Sequence, residues 1–451
     1  MKKKHEEQSS QPKRRETRTV ALYLDNFRGF SKTTIPLKSV NFLIGENSTG
    51  KSSFLALVNL LCSAEFWFSQ TFNLQDYEFG GFRDILSATA FGETHFTIGV
   101  SQKLAGEKRK AVPLQSYVLS YSEREALPVV DFVARLDGRK LLVLREVEGK
   151  YKFRTGEVPS GWVYKDDRDL FSLLVKERDR GGDDLQDLPR GLPSKVGFIP
   201  LLPLLEMIVT KRHRGQSLEI PFPFPIFSPG LVWFAPIRTR PKRTYDGYGR
   251  QFSPEGEHTP YLLLKRLSGD KPNEFRTAIE AFGKASGLYH RVLINRLGKD
   301  LAAPFELLVE LAARYPLRVN SVGYGVSQAL PLVVEMLARR EGSWFAIQQP
   351  EVHLHPRAQA ALGDLIFQVA ESHSKKFLVE THSDFTVDRF RMNFRKTPKH
   401  NVSAQVLFFE RTKMGNQVSF IPIRGNGEYP EEQPSAFREF FLQEQISLLR
   451  G

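Results

Sequence analysis

The chain has 451 residues, 41% of them hydrophobic, and a net charge of +13 from 64 basic and 51 acidic residues. That length and apolar content suit two or three lobes rather than one core. A single cysteine, Cys62, excludes an internal disulfide and a cysteine-rich zinc site, and fits a reducing compartment.

Residues 1–18 are polar, charged and without periodicity, and read as a disordered basic tail. Lys2, Lys3, Lys4, Lys13, Arg14, Arg15 and Arg18 stand there against Glu6, Glu7 and Glu16, so the rest of the chain keeps an excess of about nine positive charges. Such a balance favours a polyanionic partner. DNA is the expected one, held through its phosphates with strong salt dependence and little sequence preference. The tail is not followed by an apolar run of signal-peptide length. The longest apolar stretch, Val196 to Val209, is broken by Pro200, Pro203 and Glu206, and a spanning helix needs ~20 mostly apolar residues. No membrane partner is expected, and a cytoplasmic location is.

From Thr19, TVALYLDNF reads as a strand followed by a turn at Arg28-Gly29-Phe30. Val40 to Ile44 is a second apolar strand that runs into a glycine-rich loop. Lys51 to Phe68 then has apolar residues at helical spacing: Phe54, Leu55, Leu57, Val58, Leu61 and Phe66. Further on, HFTIGV, SYVLSY, KLLVLREV and KYKFRT read as strands. Residues 165–193 are highly charged and read as a solvated helix or a mobile insertion. Residues 197–260 are rich in proline and aromatics, and 261–315 read as helical. In the last third WFAIQ is a strand, Arg357 to Ala370 a helix and KFLVET a strand. No repeat and no long heptad run is present, which argues against a long coiled coil.

Gly45-Glu46-Asn47-Ser48-Thr49-Gly50-Lys51-Ser52 satisfies the pattern G-x-x-x-x-G-K-[ST]. The glycines permit the positive φ values that turn successive backbone N–H groups inward. Those donors, with the start of the following helix at Lys51, Ser52 and Ser53, are expected to cradle the phosphates of ATP. Lys51 supplies a point charge for the β- and γ-phosphates, and the Ser52 hydroxyl is placed for Mg²⁺.

Here the chain resembles a known group. LYLDNFRGF is similar to the N-terminal strand and turn of RecF, SMC and OLD-type ATPases, which are ABC-type members of the AAA family. Asn320 to Gln328 resembles the divergent signature of that group, and it precedes a helix from Ala329 to Arg339. The resemblance implies that Gly323, Gly325, Ser327 and Gln328 serve the nucleotide of a second copy, so a homo-oligomer, dimer or higher, is expected. WFAIQQPEVHLHP resembles the Walker B strand and D-loop. There the wider group has Asp-Glu-Pro, the Asp holding Mg²⁺ through water and the Glu polarising the attacking water. This chain has Gln348 and Gln349 instead, and neither carries charge. Gln348 stays with Ser52 as a metal-site candidate, and Gln349 as a catalytic one. Glu351 lies two residues beyond Gln349, and in an extended strand both face one side; Glu351 is then the replacement carboxylate. FLVETHSD resembles the switch segment, which makes His382 the γ-phosphate sensor. No Q-loop glutamine can be placed. FGGFRDILS is the candidate lid, and Gln75 is the nearest glutamine.

The resemblance implies an α/β fold: an ABC-type P-loop head with a mixed sheet, plus an inserted α+β or helical lobe. It divides the chain into a tail (1–18), an N-terminal core part (19–110), an inserted helical and proline-rich lobe (111–315), a C-terminal core part (316–425) and a C-terminal interaction segment (426–451). Phe234-Ala235-Pro236-Ile237-Arg238, Arg240-Pro241, Tyr245, Ser253 to Glu257, and Phe437 to Phe441 with Glu444 are similar to ATPase subunits of bacterial anti-phage systems such as PARIS and Septu. The neutral Gln348 and Gln349 imply an ATPase with slow or partner-dependent turnover, and the narrower resemblance implies a subunit of an anti-phage defence complex. A DNA or phage-protein trigger would act on it, and it would control a separate nuclease or toxin subunit of TOPRIM or HNH type. Two other readings stand beside it: a RecF-like DNA-repair ATPase, and a regulatory module that binds ATP without turnover.

Overall fold

The computed structural model describes residues 17–440, except 75–76, 91, 106–112, 160, 163, 183, 189–229, 247, 268–272, 301 and 312–314. The tail at 1–16, the apolar stretch at 196–209, Gln75 and the segment 441–451 lie outside the described residues.

The centre is a six-stranded sheet in the order Leu231–Phe234, Trp344–Gln348, Lys376–Glu380, Val40–Gly45, Ala404–Thr412 and Gly415–Ile423. The first five strands are parallel and the last closes an antiparallel hairpin. The parallel strands are near-continuous apolar runs because both faces are covered. Successive side chains alternate between two cores. Phe42, Ile44, Phe345, Ile347, Phe377 and Val379 face the helices Tyr324–Ala338, Pro356–His373 and Asp384–Lys396. Leu43, Ala346, Leu378 and Leu407 face the helix Lys51–Cys62.

That helix is covered in turn by an eight-stranded antiparallel sheet. Its order is Gln186–Asp187, Lys150–Glu157, Lys140–Val147, Leu127–Asp137, Pro113–Arg124, His95–Ala105, Thr17–Asp25 and Thr33–Leu37. The helix Asp167–Asp179 closes the outer face with Leu170, Phe171 and Leu174.

Several expectations are corrected. The boundary at 110/111 runs through a sheet, since Phe96 pairs with Tyr121 across it. The central sheet also takes up Leu231–Phe234, well before residue 316. The span 261–315 is only partly helical. After Thr259–Leu267 and Glu274–Ser286 come the strands Arg291–Arg296 and Phe305–Glu310, whose inward residues Val292, Phe305, Leu307 and Val309 join the main core. The helix expected to reach Phe68 breaks at Ser63, which is extended at ψ 128° and starts a second helix, Ala64–Ser69. Among the described residues no helix is long and apolar enough to cross a membrane.

Candidate functional site

Residues 46–50 join the end of the strand Val40–Gly45 to the start of the helix Lys51–Cys62, and the backbone between them is sharply curled. Gly45, Ser48 and Gly50 have φ of 145°, 61° and 95°. A Cβ on Gly45 would lie 2.1 Å from the Phe409 carbonyl oxygen, and one on Gly50 2.6 Å from the Phe30 ring. Only glycine fits at either place. Thr49 braces the loop by donating its hydroxyl to Glu46 O at 2.8 Å.

The Lys51 ammonium lies under this loop. It donates to Gly45 O at 2.8 Å and to Glu46 O at 2.5 Å. Burial pushes its pKa down, against the nearby carboxylates of Glu380 and Glu46. Ser52 donates its hydroxyl to both oxygens of Glu380, at 3.1 Å each. Glu380 ends the neighbouring strand and pairs in register with Gln348 and with Leu43. The Gln348 amide nitrogen reaches Glu380 at 3.4 Å. A cleft of about 720 Å³ opens above, lined by Asn47, Ser48, Lys51, Ser52, Ser53, Gln349 and Glu380. Arg28, Arg83, Arg411 and Lys413 give its rim a positive character. A hydroxyl, an amide and one carboxylate converging here are hard oxygen donors, and they suit Mg²⁺, which takes few protein ligands and keeps much of its water.

The strand Trp344–Gln348 does not stay extended. Gln349 turns to φ 42°, and its N–H donates to Glu380 O at 2.8 Å. Residues 350–353 form a turn, so the premise that Gln349 and Glu351 share a strand face is corrected. Gln349 lines the cleft, and Glu351 does not. Instead the Glu351 carboxylate accepts the Thr381 hydroxyl at 2.8 Å and the His382 N–H at 2.7 Å. Burial raises its pKa, opposed by those hydrogen bonds and by Arg238. Burial, and then the charge of Lys51, lower the pKa of His382, against Glu380. Its ring stacks 6.5 Å from Phe440.

The segment Gly323 to Gln328 stands apart from this cleft. Gly323 is exposed at the start of the helix Tyr324–Ala338, with open space around it. Gly325 packs on the D-loop, where an added Cβ would be 3.0 Å from His353 O. Tyr324 meets the His353 ring edge-on at 5.1 Å. Ser327 and Gln328 are less accessible than the resemblance implies. The Ser327 hydroxyl donates to Tyr324 O at 2.7 Å, and Gln328 is 1% exposed, its amide reaching Arg238 O at 3.5 Å.

Sequence reasoning missed two residues. Arg238, 2% exposed, donates to Gln348 O at 3.3 Å while its Nε and Nη1 have no hydrogen-bond partner among the described residues. Burial lowers its pKa to about 10, against Glu351. The other is Glu380, which reads as the polar end of an ordinary strand. Its one signal is an acid directly before the Thr-His-Ser of the switch segment.

Two family models match the chain. One, an AAA ATPase domain, covers residues 20–98. The other, described as AAA domain, putative AbiEii toxin, Type IV TA system, covers residues 239–388. The chain carries AAA-family ATPase domains. The first match holds the phosphate loop of this ATPase; the second holds Gly323 to Gln328, Gln348 to Glu351, Glu380 and His382. Such domains bind nucleotide, typically with Mg²⁺. No curated protein matches the chain. Among solved structures the ATPase is similar to an SMC head bound to the C-winged helix domain of ScpA, with 12% identity, 90% of this chain and 98% of that one covered, and a TM-score of 0.42. It is also similar to the SMC head domain from Thermotoga maritima, with 11% identity, 90% and 100% covered, and a TM-score of 0.38. A third is an SMC head with an extended coiled coil bound to the C-terminal domain of ScpA from Pyrococcus furiosus, at 11% identity, 96% and 100% covered, and 0.39. The fold is α/β with a mixed central sheet, as expected, and the described residues hold no long coiled coil.

Proposed function

We propose that this ATPase binds ATP over Gly45–Ser53 and completes the site with Gly323 and Gly325 of a second copy. The observation that carries this reading is the cleft itself: Lys51 and Ser52 line it, and no residue of 323–328 does. The open helix start at Gly323 is suited to a phosphate, because its N–H groups point outward and the helix dipole favours negative charge. On binding, Lys51 would exchange its carbonyl partners for the β- and γ-phosphates. Ser52 and Gln348 would stand at the metal, whose chemistry is to neutralise charge on the phosphates. His382 would follow the γ-phosphate as a sensor. The test is the mass of the protein by light scattering with and without ATP and Mg²⁺. A dimer that needs ATP and disappears in Lys51→Ala supports the reading; a strict monomer overturns it.

The reading extends to slow, partner-dependent hydrolysis. Gln349 lines the cleft and cannot accept a proton from water. The reading also extends to an anti-phage complex in which the ATP-bound dimer holds or releases a separate nuclease or toxin. The resemblance at Phe234 to Arg238 and the toxin–antitoxin description of the model matching 239–388 support that context. Co-purification of a nuclease encoded beside this chain, released on ATP removal, tests it. A second reading, ATP binding without turnover, is favoured by Gln348 and Gln349 both being neutral. Phosphate release above background, lost in Lys51→Ala, would exclude it.

A further inference from the structure

The Walker B resemblance leaves the metal site without an acid, because Gln348 stands where a carboxylate is usual. The structure holds a carboxylate one strand away. Glu380 ends the strand that lies between the phosphate-loop strand and the Gln348 strand, in register with both. We propose that Glu380 is the acid of the Mg²⁺ site, taking over across the sheet the role that Gln348 cannot fill.

Three observations carry this, resting on the ATPase reading above. Both oxygens of Glu380 face the hydroxyl of Ser52, the phosphate-loop residue placed for the metal. Glu380 is 5% exposed yet borders the cleft beside Lys51 and Ser52. It also has no ion-pair partner among the described residues. Its contacts are the hydroxyl of Ser52 and the amide of Gln348, while Lys51 donates to backbone carbonyls. A carboxylate withdrawn from water and held in no ion-pair contact is costly unless a cation arrives with the ligand.

The neutral residue at 348 fits this arrangement. Gln348 and Glu380 are Cα partners on adjacent parallel strands, so their side chains lie side by side. Two carboxylates at that separation would repel, and one would be driven to hold a proton. A glutamine there donates to Glu380 and fixes its direction toward Ser52. The site thus keeps a single acid, on the strand nearest the phosphate loop.

The test is ATP affinity by calorimetry on the full chain, with Mg²⁺ and again with EDTA. Wild type is expected to gain tenfold or more from Mg²⁺. Glu380→Gln is expected to lose that gain to within threefold, with affinity in EDTA equal to or above wild type. The double variant Glu380→Gln, Gln348→Glu returns a carboxylate to the neighbouring strand and is expected to recover the gain. An undiminished gain in Glu380→Gln overturns the proposal, and so does a loss that the double variant does not recover. Should Glu380→Gln not fold, Glu380→Asp carries the test. Its shorter carboxylate is expected to shift the affinity gain from Mg²⁺ toward Mn²⁺ by threefold or more, and an unchanged ratio overturns the proposal. If wild type binds no ATP, or Lys51→Ala binds it equally well, the ATPase reading itself fails.

Discussion

The His382 N–H donates to the Glu351 carboxylate at 2.7 Å, which ties the loop after Trp344–Gln348 to the loop after Lys376–Glu380. The Thr381 hydroxyl makes a second tie to the same side chain at 2.8 Å. If His382 is the γ-phosphate sensor proposed above, Glu351 acts on the phosphate cleft through it. Glu351→Ala is expected to cost about 1–3 kcal/mol of stability, since it strands two donors and the buried Arg238. Urea denaturation measures that. Phosphate release is expected to fall while ATP affinity stays within about threefold, a difference of under 1 kcal/mol. Unchanged stability and turnover together would remove the role.

Lys51→Ala removes the ammonium at the base of the loop. A charge-assisted contact of this kind is worth about 1.5–3 kcal/mol, or roughly a 10- to 150-fold loss of ATP affinity. Calorimetry reads it directly, and equal affinities would refute the assignment of the loop.

Gly323 offers a clean probe of dimerisation. Its φ is −55° and no atom lies within 4 Å of where a Cβ would stand, so a side chain there leaves the monomer unstrained. Gly323→Arg is expected to keep the wild-type melting temperature and to lose the ATP-dependent dimer in light scattering. A variant that still dimerises would place the interface elsewhere.

Lys375 gives a pH signature. It is 1% exposed, donates to Met336 O, and burial lowers its pKa from 10.5 to about 8 against Glu341 and Glu335. Between those values the unfolded chain binds more protons at this site than the folded one, so stability from this group rises with pH. The rise runs from about pH 8 to 10.5. Wild type is therefore expected to gain stability relative to Lys375→Met across that window, as read by denaturation at pH 7.5 and 9.5. A difference that does not change with pH would count against it.

What the sequence shows and hides at this site follows from distance along the chain. The phosphate loop is local: an apolar strand, glycines at fixed spacing and a helix, all within Val40 to Cys62. The continuous apolar runs Trp344 to Ile347 and Phe377 to Val379 are legible for the same reason, since both faces of a parallel sheet are buried. Glu380 is not legible, because its role depends on strand neighbours at Leu43 and Gln348 that only the folded sheet brings alongside. The extended reading of Gln349 to Glu351 fails on one dihedral, φ 42° at Gln349, ahead of Pro350. In the sequence Arg238 stands out only within a resemblance, because its burial between Gln348 and Gln328 is purely tertiary.

The strand Val40–Gly45 takes its hydrogen-bonded neighbours from Lys376–Glu380 and Ala404–Thr412. Asn41 donates to a carbonyl 336 residues further on, at Phe377. On the ribosome, therefore, the nucleotide loop is made more than 300 residues before the strands that finish it. Its apolar strand must wait for Lys376–Glu380 and Ala404–Thr412 before its two edges are paired. Pairing over such separations is slow, and it leaves the strand open to wrong partners in the meantime. Nascent chains halted before residue 376 would lack both neighbours of the loop strand, and so could not complete the nucleotide loop.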